Sequence, residues 1–390
     1  MDSTRSWVIL GALGAATMAQ PYLGCLPDDP ETETRFEDSG DALRDVGTEV
    51  VVPALDAFLT EMDGLRSAVA ALTDDRGPSQ TAFLSAMAAW QELEVMQLGP
   101  AGSSLDAVGG VDLRDEIYSW PTVNPCRVDQ LTVDESYASE TFRTDSLVNA
   151  YGLDALEYLL FGPEGENDCP AFVVPNQDGS WDGLGDEVVA SRRQAYALVV
   201  VDGVIEVAEA IRTEWTTEGG YADNLANAGG AGSDFDNDTQ ALNAIFDAMF
   251  YLEKVTKEAK LATPAGLLSD ECSTACETRL ELTWSQSSTQ AVVANLRGFR
   301  NLFTGGEGTG FDDILEDQGD GALAEQVIAD TDAAIALGEA TAELNGLLPD
   351  DPEPVIALHD AVKKVADELK GDLATLLALE IPSEAAGDND

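Results

Sequence analysis

From Asp41 onward the apolar residues recur at three- and four-residue steps, and no strict alternation of apolar and polar residues runs longer than a few positions. Such spacing paints one apolar stripe on a helix and leaves no face for a sheet, so it restricts the chain to an all-α fold. The first run is Val46, Val50, Val51, Leu55, Phe58, Leu59 and Met62, with Pro53 in a first turn or at a kink. A Gly77–Pro78 break separates it from a second helix that Gly99–Pro100 stops, on which Trp90 and Glu94 lie one turn apart. Further helical patterns cover residues 198–215, 239–260, 287–303, 321–345 and 353–379, and Pro121 and Pro125 make 113–130 an irregular or short-helical connector. Long loops at 162–186 and 219–240 fall near the middle, so the helices read as two bundles, about 41–186 and 187–390.

Acidic residues outnumber basic ones 73 to 20, a net charge of -53. Phosphate neutralisation needs Lys and Arg, so nucleic acid is excluded as a partner. The charge suits solubility in a salty medium, where screening weakens self-repulsion. A single histidine, His359, sits in the helical pattern ALHDAVKKVADELK, so a His-built zinc site and HExxH are excluded, and a Ser-His-Asp triad has only His359 to draw on.

Residues 1–24 read as an export signal: Arg5 precedes an apolar segment at 7–19 that is too short to span a bilayer. YLGC then ends at Cys25, a lipoprotein-type box in which that cysteine takes the lipid, and 25–40 is an acidic tether. This implies a bacterial envelope protein held to the membrane by its N-terminal lipid. Leu26 after Cys25 favours the outer membrane, on its periplasmic or its outer surface. In an oxidising compartment the other four cysteines read as two disulfides. Cys126 and Cys169 flank one helical segment, and Cys272 and Cys276 can close a small loop. The rival reading, a four-cysteine metal site, lacks paired CxxC knuckles.

The segment YGLDALEYLLFG, residues 151–162, carries Asp154 and Glu157 three apart, hence on one helical face, with Gly152 just before. Two carboxylates so placed are either a cation site or a solvated stripe. The run DFDND at 234–238 has part of a calcium loop but not the remaining spacing or the final Glu.

Several segments together carry a resemblance. They are AWQELEVMQLGP, RDEIYSWPTVNPCRVDQ and YGLDALEYLLFG in the first half, then KLATPAG, LELTWSQSSTQAVVANLRGFRNLF and the acidic end AAGDND. In this order the chain resembles the imelysin family, named for an insulin-cleaving bacterial membrane peptidase and including iron-regulated lipoproteins. The resemblance implies two helical-bundle halves packed around a central cleft. Of the family's G-x-H-x-x-E signature, Gly152 and Glu157 match, and Asp154 stands in place of the His. Trp90, Glu94, Arg114, Trp120 and Pro121 match in the first half. Glu281, Ser285, Ser288 and Asn295 match in the second, and the resemblance implies that they face the Asp154–Glu157 helix across the cleft.

Three functions follow from the resemblance. The first is an anchored protein of iron uptake that binds a metal ion or iron-bearing ligand. Asp154, Glu157, Glu94 and Glu281 would be oxygen ligands for iron or another divalent or trivalent cation. Gly152, Arg114, Trp90, Trp120, Ser285, Ser288 and Asn295 would line the cleft. The second is an imelysin-type peptidase, against which the missing His weighs, and for which Ser285 would need a base that the sequence does not name. The third is a non-catalytic helical scaffold or partner-binding lipoprotein.

Overall fold

The computed structural model of the chain describes residues 38–73, 75–268, 272, 274–382 and 385. The leader, Cys25 and nearly all of the tether lie outside the described residues, as does the acidic end beyond Ala385. Among the described residues there is no strand, and no helix is long and apolar enough to cross a membrane.

Helix α1, residues 39–70, runs as α-helix over Ser39–Asp45, widens to a π-helix at Val46–Val51, and returns to α-helix over Val52–Ala70. The widened stretch ends just ahead of Pro53, which has no N–H to donate, so the helix continues through the proline instead of breaking. Leu55, Phe58, Met62, Leu65 and Val69 form its buried stripe, and the helix packs on α2 (Gly77–Glu94) and α6 (Asp186–Thr216). Between these come α3 (Leu113–Ile117), α4 (Pro125–Asp134) and α5 (Leu153–Phe161), with α3, α4 and α5 all laid against α6.

Helix α6 starts at Asp186, well before the pattern at 198, because its first turns bury polar side chains. Arg193 donates to Asp129 at 3.1 Å and to the carbonyls of Pro163 and Glu166 at 2.7 and 2.8 Å. Tyr158 also donates to Asp129, at 2.7 Å. This network ties the 162–186 loop down, and the Cys126–Cys169 disulfide fastens the same loop to the start of α4. Cys272 and Cys276 are bonded to each other, so both pairs are disulfides and the four-cysteine metal reading falls.

The later helices are α7 (Asp238–Met249), a π-helix over Leu252–Ala262, α8 (Ser288–Thr304), α9 (Phe311–Asp317), α10 (Gly321–Ala340) and α11 (Glu353–Glu368). The pattern expected over 239–260 is thus α-helix followed by π-helix, and the one over 321–345 stops at Ala340. Helix α8 packs on α10 and crosses α2, joining the earlier helices to the later ones. The crossing is close: a Cβ on Gly298 would stand 2.1 Å from the Glu92 carbonyl oxygen. All described residues belong to one compact unit.

Candidate functional site

Polar burial concentrates where α5 meets the segment leading into α8. Helix α5 begins at Gly152, whose φ of +92° is closed to most side chains. A Cβ there would also lie 2.8 Å from the Ile117 carbonyl oxygen at the end of α3. Gly152→Ala is therefore expected to lower stability by about 2 kcal/mol in urea denaturation. From this start every residue of α5 through Leu160 is buried, Asp154 and Glu157 at 3% exposure each. The solvated-stripe reading is overturned: the shared face of the two carboxylates points inward.

Asp154 Oδ2 accepts from the Ser119 hydroxyl at 2.8 Å, and its Oδ1 from the Ala155 N–H at 2.9 Å. Glu157 Oε1 accepts from both the N–H and the hydroxyl of Ser285, at 2.8 and 2.7 Å. Neither carboxylate has an ion-pair partner among the described residues. Burial pushes both up to about 7, with the Ser119 and Ser285 hydrogen bonds pulling the other way. For Glu157 the charges of Glu281 and Asp154 add to the rise.

Beside them lies a second group. Glu94, at the end of α2, accepts from Arg114 of α3. Glu281 accepts from Tyr118 at 2.8 Å and from Gln91 at 3.1 Å. Between the two carboxylates stands Lys260 of the π-helix, its Nζ 3.1 Å from Glu281 Oε1 and 3.6 Å from Glu94 Oε2. Gln91 accepts from Lys260 and, at 3.0 Å, from Asn295. Lys260 also lies 5.6 Å from the ring centre of Tyr251. Burial opposes the Arg114 charge most, but Glu94, Tyr251 and Asp115 together outweigh it and the guanidinium pKa rises. Burial raises Glu281 while Lys260 pulls it down.

The four expected metal ligands thus fall into two pairs with different surroundings. Glu94 and Glu281 face built-in cations, whereas Asp154 and Glu157 face hydroxyls and N–H groups. Among the described residues no three His, Cys, Asp or Glu side chains gather in an ion-holding group. The oxygen donors of Asp154 and Glu157 fit a hard cation in kind but supply only two carboxylates.

Of the other expected residues, Ser285 meets Glu157, Asn295 meets Gln91, and Ser288 donates to the Glu281 carbonyl oxygen. Trp90 packs 5.3 Å from the Phe58 ring in the core, and Trp120 is half-buried at the core's edge. His359 is half-buried on α11 beside Asp360. In the DFDND run Phe235 is core and Asn237 caps α7. Sequence reasoning missed Lys260, Gln91, Tyr118, Ser119 and Tyr251. A signal for Lys260 existed: it is a scarce cation directly before the apolar pair Leu261–Ala262.

These features define an all-helical protein with a charged centre enclosed where its earlier and later helices meet. The imelysin (peptidase M75) family model matches residues 51–378, and the chain belongs to the imelysin family. No curated protein matches it. Among solved structures it is similar to one from Parabacteroides distasonis described as an iron-regulated protein A precursor. The TM-score is 0.69 at 16% identity, over 90% of this chain and 98% of that one. It is also similar to an imelysin-like protein from Psychrobacter arcticum, with a TM-score of 0.65 at 16% identity over 88% and 97% of the two chains. At that identity the likeness shows a common fold, which bears out the all-α class, while the family model bears out the family read from the motifs.

Proposed function

We propose that this protein is an exported, lipid-anchored binding protein that takes a metal ion bringing ligands of its own, such as an iron chelate, at Asp154 and Glu157. The observation that carries the reading is a pair of enclosed carboxylates on one helix that make no ion pair among the described residues. Uncompensated buried charge costs several kcal/mol, and a bound cation would offset that cost. The carboxylates of Asp154 and Glu157, with the hydroxyls of Ser119 and Ser285, form an all-oxygen set suited to a hard cation. Two carboxylates leave most coordination positions to water or to a chelating molecule. The iron in the description of the Parabacteroides neighbour supports iron as the first metal to try.

One observation favours a second reading, the peptidase. The Ser285 hydroxyl, for which the sequence named no base, donates to Glu157 at 2.7 Å. It also lies between Leu282 and Gln286, both at positive φ, +52° and +53°.

Elemental analysis of tag-free protein, followed by calorimetric titration with ferric citrate and with calcium, tests both. A cation is expected to be retained, or to bind at micromolar levels or tighter, with affinity falling at least about tenfold in Asp154→Ala/Glu157→Ala. No cation at micromolar levels would sink the binding reading. Cleavage of an unfolded substrate that disappears in Ser285→Ala would put the peptidase in its place.

A further inference from the structure

A cavity of about 650 Å³ has Tyr251, the ring beside Lys260, in its wall. Its walls are the segment 97–108, residues 240–255 across the end of α7 and the start of the π-helix, and the chain at Pro382 and Ala385. That volume suits a small organic molecule. It shares no residue with the Asp154–Glu157 site.

The lining combines apolar and aromatic walls with acids. Leu98, Val108 and Phe250 supply apolar surface, and Tyr221 and Tyr251 add aromatic surface. The Tyr221 hydroxyl is enclosed beside the Gly99 backbone. Asp247 reaches the cavity from α7 and pairs with no cation among the described residues. Asp247 is solvent-exposed as a residue, and partial desolvation of its carboxyl, together with the charge of Glu380, pushes it up to about 6, still mostly ionised at neutral pH. The second acid, Asp106, accepts from the Ser103 hydroxyl at 3.0 Å and makes no ion pair among the described residues. Among the described lining residues the one basic side chain, Lys254, has its ammonium 3.5 Å from Glu258.

We propose that this cavity binds a small organic cation, an amine or quaternary ammonium on an apolar body. Aromatic faces and an unpaired carboxylate attract such a charge. An anion would meet Asp106, Asp247 and the field of a chain carrying -53, so it is excluded by repulsion. A bare inorganic ion would leave the apolar walls unused.

Calorimetric titration of the whole protein with benzyltrimethylammonium chloride tests this, with benzyl alcohol as the neutral probe and benzoate as the anion. Work in about 0.5 M sodium chloride suppresses attraction to the surface charge at large. Saturable binding of benzyltrimethylammonium is expected, about tenfold weaker binding of benzyl alcohol, and none of benzoate. Asp247→Asn should weaken the cation about tenfold, and Ala244→Phe, which fills the cavity from its wall, should remove binding. Unchanged circular dichroism would show that both variants are folded. The proposal is overturned if the cation does not saturate, if benzyl alcohol binds as tightly, or if neither variant changes its affinity.

Discussion

Lys260→Met is expected to cost the fold about 3–5 kcal/mol, read as a fall in the urea midpoint at neutral pH. Lys260 is only 2% exposed, and among the described residues its ammonium is the one positive group that contacts Glu281. Methionine fills a similar volume, so packing is nearly kept and the loss is electrostatic. Glu94 retains Arg114, but Glu281 is left as an enclosed anion held only by the Tyr118 hydroxyl and the Gln91 amide. Adding Glu281→Gln removes the stranded charge, and the double variant is expected to regain more than half of the loss. The interaction energy from the double-mutant cycle isolates the pair. Because α2, the π-helix and the approach to α8 meet at this lysine, the whole transition should move and not one helix end. A cost under about 1 kcal/mol would mean that Glu281 holds its proton in the folded chain and that no ion pair exists there.

The contrast between the two pairs of carboxylates also marks how far the sequence can be read. Helical spacing made the architecture legible, since Leu55, Phe58 and Met62 announce a buried stripe wherever they pack. It could not announce the π-helical stretches, because a slightly wider turn changes that spacing too little. The first turns of α6 were hidden for another reason: Arg192, Arg193 and Gln194 look solvent-facing, and only the carbonyls and Asp129 around them make an inward arginine acceptable. At the site, the three-residue step placed Asp154 and Glu157 on one face but not on which side of the helix. That depends on partners far along the chain, such as Ser285, 128 residues from Glu157. The role of Lys260 depends likewise on Gln91, 169 residues away. Local pattern carries no record of such distant pairings, and motif resemblance pointed to Glu94 and Glu281 without showing that a lysine stands between them.

Raising the pH from about 4 to about 8 is expected to cost the native chain more stability than it costs an Asp154→Asn/Glu157→Gln variant. Both folded-state values, about 7, lie above the ordinary 3.8 and 4.5 of Asp and Glu, because burial disfavours the charged forms. In the unfolded chain the same groups ionise near their ordinary values, so there they release protons before the folded chain does. Their favourable contribution is therefore whole below about pH 4 and drains away as the pH climbs through 7. Above that, both charges sit enclosed and face each other across one turn of α5. Each group accounts for about 3 kcal/mol as an order of magnitude. The amides of the variant keep the acceptor oxygens for Ser119 and Ser285 but cannot ionise, so the stability difference between the two proteins isolates these groups from the chain's many other acids. That difference should grow between pH 4 and 8 and then level off. A cation that binds here should shrink it, since it stabilises the ionised pair, and its uptake at pH 6 should release protons measurable in weakly buffered titrations. Parallel stability curves for the two proteins would show instead that water reaches both carboxylates, and with it the basis for a cation at this helix would fall.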